Sequence, residues 1–243
     1  KRHPPLLKPG GELKVHPSFV RRGAYFMTPR IKICCIANEK EAADAIRFGA
    51  SAIGLVGEMP SGPGPILDER ILRITQTVPP PIATFLLTSR QTAQGIIDHH
   101  HRTKTNTIQI VDELNDRDYQ TIRIALPNVK LVQVIHVTSE ESVDEAAELA
   151  SFVDAILLDS GNPKLSVKEL GGTGRRHDWR LSRKIVETCG KPVFLAGGLN
   201  HENVREAIET VQPFGLDICS GVRTAGRLDL VKLEAFFSAV ELV

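Results

Sequence analysis

The stretch IKICCIANEKEAADAIRFGASAIGLV, residues 31–56, contains the pattern that decides the fold. It begins with the β-branched run 31–35, continues with a helix-like segment over 39–48, and ends in a second apolar run, 52–56. Such a strand–helix–strand unit predicts a parallel sheet, because the helix returns the chain to begin the next strand in the same direction.

The same alternation continues along the chain and predicts eight β/α units. The eight predicted strands lie at residues 31–35, 52–56, 82–87, 107–110, 131–137, 153–158, 192–196 and 216–219. Eight units in 243 residues favour a single closed (β/α)8 TIM barrel of the α/β class. The alternative, an open doubly wound sheet, carries a glycine-rich nucleotide fingerprint after its first strand, and residues 35–38 contain no glycine.

Composition excludes several function classes. Lys and Arg number 30 against 29 Asp and Glu, so the net charge of +1 gives no general case for a nucleic-acid or membrane-surface partner. No apolar run approaches the roughly 18 residues that span a bilayer. Four cysteines in 243 residues are too few for a disulfide scaffold, so we expect a cytoplasmic protein.

Charge and composition change near residue 27. Residues 1–26 carry six basic side chains and one acidic side chain, together with several Pro and Gly, and lack the apolar core of a secretory signal. We therefore expect an N-terminal extension over 1–26 and a barrel domain over 27–243, with Met27 as a plausible natural start.

In a barrel, functional residues lie in the loops after the strands. Cys34 ends the first predicted strand and Asp159 ends the sixth. Gly197-Gly198 follows the seventh strand and Ser220-Gly221 follows the eighth, where backbone N–H groups can approach an anion closely. One glycine pair alone is more often a tight turn, but the repeated pattern predicts a phosphate site formed by Gly172, Gly197, Gly198, Ser220 and Gly221.

Seven segments carry recognisable motifs, in this order along the chain: Lys32-Ile33-Cys34, Leu158-Asp159-Ser160, Gly171-Gly172-Thr173-Gly174, Asp178-Trp179, Leu195-Ala196-Gly197-Gly198-Leu199, Glu202-Asn203-Val204 and Asp217-Ile218-Cys219-Ser220-Gly221-Val222. In this order they resemble the motifs of the phosphoribosylanthranilate isomerase family of tryptophan biosynthesis. The match covers residues 31 to about 236.

The resemblance implies an Amadori rearrangement of a small-molecule phosphosugar, with Cys34 as general base and Asp159 as general acid. It implies no cofactor, no metal, and a monomer or homodimer. Strand alternation supports this assignment, because it places Lys32 and Cys34 on one face and Cys35 on the other. Taken singly, Cys34 could be a buried small hydrophobe and Asp159 a turn cap. We expect Cys35, Cys189 and Cys219 to be core residues.

The chain departs from the family at the end that binds the aromatic acid. The family's Ser-Pro-Arg loop, whose Arg holds the anthranilate carboxylate, appears here as residues 61–65 without Arg or Lys. The family's Gln-Leu-His-Gly appears as residues 109–112, Gln-Ile-Val-Asp, and its first Cys-Gly as Cys34-Cys35. A replacement cation would come from Arg90, Arg175 or Arg176.

Two other functions therefore stay open: a divergent barrel acting on another phosphorylated sugar derivative, and a non-catalytic phospholigand-binding barrel. The run His99-His100-His101 is predicted to be a solvated helix end rather than a metal site, because successive helical residues point about 100° apart.

Overall fold

The structure is a computed structural model that describes residues 28–161 and 174–241. Its strands are β1 (Arg30–Ile33), β2 (Ala52–Val56), β3 (Ala83–Thr88), β4 (Thr107–Ile110), β5 (Lys130–His136), β6 (Ala155–Asp159), β7 (Val193–Leu195) and β8 (Gly215–Ile218). Its helices are α1 (Glu39–Arg47), α2 (Asp68–Thr77), α3 (Ala93–Thr103), α4 (Asp116–Ala125), α5 (Glu141–Leu149), α6 (Trp179–Thr188), α7 (Val204–Val211) and α8 (Leu230–Glu241). The boundary expected between residues 26 and 27 lies outside the described residues.

The eight strands form a closed parallel barrel in chain order. β8 pairs with β1 in the register Lys32↔Asp217 and Ile33↔Ile218, so the sheet has no free edge. An open sheet would leave these two strands apart, and the predicted (β/α)8 barrel is therefore confirmed.

The core has two layers, which follow from the alternation of side chains along each strand. The outer layer packs strand residues such as Ile33, Ile53 and Ile156 against the helices. The inner layer fills the barrel with side chains that include Phe85, Val132, Val134, Leu157 and Phe194. The upper members of the inner layer form the floor of the cavity described below.

Side-chain caps begin several of the helices. Asn38 accepts a hydrogen bond from the Glu41 N–H (2.9 Å) and Asn115 accepts one from the Asp118 N–H (3.1 Å). Helix α3 begins at Ala93, after the cap residue Thr92, which accepts a hydrogen bond from the Gly95 N–H. These caps hold the helix starts beside the mouth of the barrel.

The prediction that the histidine run is a solvated helix end is wrong for two of its three residues. His99 is buried, accepts from the Thr88 hydroxyl (2.9 Å) and donates to the Asp68 carboxylate (3.1 Å). His100 is buried and donates to the Thr105 carbonyl (2.7 Å). Helical spacing correctly predicts that the three side chains point in different directions. It carries no information about the polar groups of neighbouring segments, which His99 and His100 contact.

The chain leaves β8 through a short 3-10 turn, Ser220–Val222, and a small antiparallel hairpin of β9 (Arg223–Thr224) and β10 (Arg227–Leu228). Helix α8 then packs against α7 and the 3-10 turn, and closes the outer layer through Leu233, Phe236 and Phe237. Within the described parts of the chain, no helix combines the length and the apolar character needed to cross a bilayer.

Candidate active site

The carboxyl ends of the strands surround an open cavity in which the centres of water-sized spheres occupy about 70 Å³. Its walls come from the first, second, third, fourth, sixth, seventh and eighth strands and the loops that follow them. The polar residues that line it are Cys34, Cys35, Ser61, Gln109, Asp159, Asp217, Cys219 and Ser220. Among the site residues predicted from the sequence, Cys34, Asp159, Gly197, Gly198 and Ser220 all line this cavity.

Cys34 follows β1 and is buried at the cavity floor. The predicted alternation holds for Lys32 and Cys34, which both lie inside the barrel. It fails at Cys35, where φ is 61°, in the left-handed region that favours glycine. This backbone turn brings the Cys35 side chain into the inner layer beside Cys34, so the expectation that Cys35 packs outward with Ile33 is wrong.

A buried ion pair lies directly beneath Cys34. The Lys32 Nζ is 2.8 Å from the Asp217 Oδ2, and the Lys32 side chain is fully buried. Burial is the largest single influence and lowers the pKa of Lys32. The charge and hydrogen bond of Asp217, together with the neighbouring Cys34 and Cys35, outweigh burial and raise that pKa above its usual range. The ammonium is therefore a permanent positive charge below the Cys34 thiol.

Gly54 on β2 provides the space that Lys32 and Cys34 occupy. A Cβ at this position would lie 2.8 Å from the Cys34 Sγ and 3.1 Å from the Lys32 Nζ. Glycine within a strand is a sequence signal of close approach by a neighbouring group. Neither Lys32 nor Asp217 has a role among the residues predicted from the sequence, although Gly54 carries this signal.

Asp159 ends β6 and is partly exposed to the cavity. Its Oδ1 accepts a hydrogen bond from the Ser160 N–H at 2.7 Å, which fixes the orientation of the carboxyl group. Strands β7 and β8 separate it from Cys34 in the barrel. The two side chains therefore reach the same cavity from different walls, as an acid and a base acting on different atoms of one ligand require.

The glycine loops after β7 and β8 meet at one side of the mouth. A Cβ on Gly221 would lie 2.0 Å from the Leu199 carbonyl oxygen, and one on Gly198 would lie 2.8 Å from the Gly174 carbonyl oxygen. Only glycine permits this packing. Across the described residues, no hydrogen bond uses the backbone N–H of Gly197, Gly198, Ser220 or Gly221. Gly172, the remaining residue predicted for this site, lies outside the described residues.

The opposite side of the mouth is mostly apolar. Its lining includes Val56, Met59, Pro63, Leu87 and Val111, with Ser61 in the same loop as Met59 and Pro63. Such a surface can hold an aromatic ring, while the N–H groups across the cavity can hold an anion.

The three arginines suggested as carboxylate partners lie outside this cavity. Arg90 pairs with Glu58 (2.7 Å), and Arg176 stacks on Trp179 (3.8 Å from its Cζ to the ring centre) and pairs with Glu206. Arg175 is exposed, and its carbonyl oxygen packs against Gly198. Among the described lining residues there is no lysine or arginine, and the charged ones are Asp159 and Asp217.

The family model for N-(5'-phosphoribosyl)anthranilate isomerase matches residues 31–239. The isomerase of Methanocella arvoryzae is 31% identical over 214 residues, which cover 88% of this chain and 98% of the relative. A second isomerase, from Methanosarcina mazei, is 35% identical over 195 residues, which cover 80% and 85% of the two chains.

This chain belongs to the phosphoribosylanthranilate isomerase family.

Solved structures of the family agree with this assignment. The Thermotoga maritima isomerase has a TM-score of 0.74 at 28% identity, covering 88% of this chain and all of that one. A family structure in complex with reduced 1-(o-carboxyphenylamino)-1-deoxyribulose 5-phosphate has a TM-score of 0.71 at 26% identity, with the same coverage. The fold, the family and the isomerase class predicted from the sequence are confirmed.

Gln109 lines the cavity of this family member, and no role was predicted for it from the sequence. It is buried, and its Oε1 accepts no hydrogen bond among the described residues. The sequence signal for this residue is an amide side chain between the apolar neighbours Ile108 and Ile110 of the strand.

His136, to which the sequence assigned no role, is buried, and its Nε2 lies 3.4 Å from the Val111 carbonyl oxygen. This burial lowers the pKa of His136.

His177 supports the glycine loop of this family member from behind. It lies 3.0 Å from where a Cβ on Gly197 would be, and its Nε2 is 2.7 Å from the Ser182 hydroxyl. Burial lowers the pKa of His177 to about 4, and the nearby Asp178 only partly opposes this effect. The imidazole is therefore neutral at neutral pH.

We expect acid to destabilise the fold through His177. The unfolded chain binds this proton below about pH 6.5 and the folded chain only near pH 4, so the free energy of unfolding falls as the pH drops through that window. Between pH 7.5 and pH 5 the contribution is about 2 kcal/mol. Urea unfolding at both pH values should show a fall that is smaller by this amount in His177→Gln, whereas the exposed control His201→Gln should match the parent. Equal falls in all three proteins would contradict the assignment.

Proposed function

We propose that this chain converts N-(5'-phosphoribosyl)anthranilate into the corresponding 1-(carboxyphenylamino)-1-deoxyribulose 5-phosphate, an aldose-to-ketose Amadori rearrangement. One observation carries the proposal: Cys34 and Asp159 line the same cavity, between a glycine-rich wall and an apolar wall. The substrate has three matching parts, namely a reacting sugar, a phosphate and an aromatic ring. Family membership supports the same reaction.

In the proposed mechanism Asp159 acts as the general acid. It donates its proton to the ring oxygen while the C1–O bond breaks, and the ribose opens to an iminium species. The hydrogen bond from the Ser160 N–H to Oδ1 orients the carboxyl group within the cavity. A positioned acid of this kind accelerates a reaction by roughly 10²–10⁴-fold.

Cys34 acts as the general base. Its thiolate removes the proton from C2, and the resulting enolamine rearranges to the ketose. The buried Lys32 ammonium below the sulfur stabilises the negative charge that Cys34 must carry, and Asp217 holds that ammonium in place. Lys32 is therefore a positioning residue for this step, since it acts through Cys34.

The substrate phosphate is proposed to bind at the loops after β7 and β8. The backbone N–H groups of Gly197, Gly198, Ser220 and Gly221 supply donors without a charged side chain. Gly172 stays part of the prediction as a further donor.

The aromatic ring is proposed to lie against Met59, Pro63 and Leu87. The carboxylate on that ring meets no lysine or arginine among the described residues of the lining. This observation favours a second function, in which the same chemistry is applied to another phosphorylated sugar derivative with an uncharged substituent. The two functions differ in how strongly the carboxylate contributes to binding.

We also propose a ligand class, a cellular location and an oligomeric state. The ligand is a small molecule, which the structure of a relative with a product analogue supports. We propose a cytoplasmic location and a monomer or homodimer.

We predict that Cys34→Ser and Asp159→Asn each lower kcat for freshly generated phosphoribosylanthranilate by about 10²-fold or more, with KM nearly unchanged. The reason is that each variant removes a proton-transfer group without altering the phosphate or ring contacts. Steady-state kinetics of the purified proteins measures both constants. Cys189→Ser, far from the cavity at the end of α6, is the matched control and should keep the parent kcat. If both site variants retained parental turnover, the chemistry would have to lie elsewhere.

We predict that Ser220→Asp weakens binding of inorganic phosphate by about 10-fold or more, because a carboxylate beside the N–H groups repels the anion. Ser220→Asn has nearly the same size and no charge, and should bind phosphate within a few-fold of the parent. Isothermal titration calorimetry at low ionic strength measures the three affinities. Equal affinity of the aspartate and asparagine variants would place the phosphate elsewhere.

We predict that Pro63→Arg lowers KM for phosphoribosylanthranilate several-fold and leaves kcat nearly unchanged, because a guanidinium at the apolar wall can pair with the substrate carboxylate. Pro60→Arg, at an exposed position that does not line the cavity, should have no effect. The measurement is KM for phosphoribosylanthranilate in the parent and in the two variants. An unchanged KM in Pro63→Arg, together with a parental kcat/KM above roughly 10⁴ M⁻¹s⁻¹, would show that the parent needs no cation at this loop.

A further inference from the structure

Two thiols meet at the seam where the barrel closes. The Cys35 Sγ, after β1, lies 2.7 Å from the Cys219 Sγ, after β8. A disulfide bond is about 2.05 Å long, so bond formation requires the sulfurs to approach by less than about 1 Å. Neither cysteine has been given a role in the reaction above, and the family motif has Gly at the position of Cys35.

The backbone explains why these side chains face each other. β1 and β8 are paired up to Ile33↔Ile218, and the Cys34 N–H donates to the Ile218 carbonyl (2.8 Å) one step further. The left-handed conformation of Cys35 then turns its side chain toward β8 instead of toward the helices. The contact between Cys35 and Cys219 therefore lies just beyond the end of the β1–β8 strand pairing.

The pair can be reached from solvent and is held in position. Both cysteines line the mouth cavity, and Cys219 is partly exposed. The buried Arg223 guanidinium donates to the Cys34 carbonyl (3.1 Å) and pairs with Glu41 (3.2 Å), which fixes the chain around Cys35. The contact with Cys35, together with the positive charge of Arg223, lowers the pKa of Cys219 and so favours a reactive thiolate there.

We propose that Cys35 and Cys219 form a reversible disulfide bond that closes the β1–β8 seam covalently. The oxidant is a low-molecular-weight disulfide of the glutathione class. The Cys219 thiolate attacks one sulfur of the oxidant and releases one small thiolate. The Cys35 thiol passes its proton to that thiolate and attacks the Cys219 sulfur of the mixed disulfide, which releases the second small thiolate; this takes up the proton that Cys219 had lost to solvent. Two protein thiols are oxidised to one disulfide, and one small disulfide is reduced to two thiols.

The other two cysteines stay reduced in this proposal. Cys189 lies at the end of α6, where its thiol contacts the Lys191 carbonyl (3.6 Å). Cys34 is adjacent to Cys35 in the chain, and neighbouring residues cannot readily form a disulfide in regular structure. The oxidised protein therefore keeps the thiol that serves as the proposed base.

The test counts and locates thiols in the full chain, independently of any activity. Reduced protein is freed of reductant, incubated with glutathione disulfide, and alkylated under native and then denaturing conditions. We expect the number of free thiols to fall from the four of the sequence to two, with return to four after dithiothreitol. Peptide mass spectrometry should find a linked pair that contains Cys219 and the segment Cys34-Cys35.

Single variants identify the partner within that segment. The linked pair should persist in Cys34→Ser and in the control Cys189→Ser, and should be lost in Cys35→Ser and in Cys219→Ser. Because the bond closes a loop spanning most of the barrel, oxidation should also raise the Tm of the parent by at least about 4 °C, and not that of Cys35→Ser. Four thiols that remain free under oxidant, a Cys34–Cys35 bond, or a linked pair that persists in Cys35→Ser would each overturn the proposal.

Discussion

The ion pair of Lys32 with Asp217 is the constraint on which the site depends. Its atoms lie 2.8 Å apart inside the barrel, and the two residues face each other in the β1–β8 register that closes the sheet. Removal of one partner would leave an uncompensated buried charge, which typically costs about 3–5 kcal/mol. The same two charges set the electrostatics beneath Cys34, so closure of the fold and preparation of the proposed base rely on a single contact.

The mouth above this pair divides into two halves with different chemistry. On one side, loops pack so closely that Gly198 and Gly221 have no room for a side chain, and Gly197, Gly198 and Ser220 line the cavity. On the other side, Met59, Pro63 and Leu87 present apolar surface. A phosphosugar with an aromatic substituent matches this division, because its charged and apolar ends lie on opposite sides of the reacting sugar.

The departures from the family motifs are concentrated in the residues that shape the cavity around its reacting centre. Cys35 stands where the family has glycine, and keeps the left-handed backbone that glycine would adopt. The loop after β2 has lost its arginine, while the strand ends that carry Cys34 and Asp159 match the motif. Loops tolerate such change better than strands do, since few core contacts depend on them.

The sequence by itself determined the eight strands, the order of the helices, and the inward direction of Lys32 and Cys34, because periodicity and turn residues are local properties. It also placed Asp159, Gly197, Gly198 and Ser220 at strand ends, which the barrel brings to one mouth. Tertiary structure alone decided that Cys35 turns inward, that His99 and His100 find buried partners, and that Gly54 makes room for Cys34. The physical reason is that each of these depends on contacts between segments far apart in the chain, and the local pattern carries no information about which groups will meet.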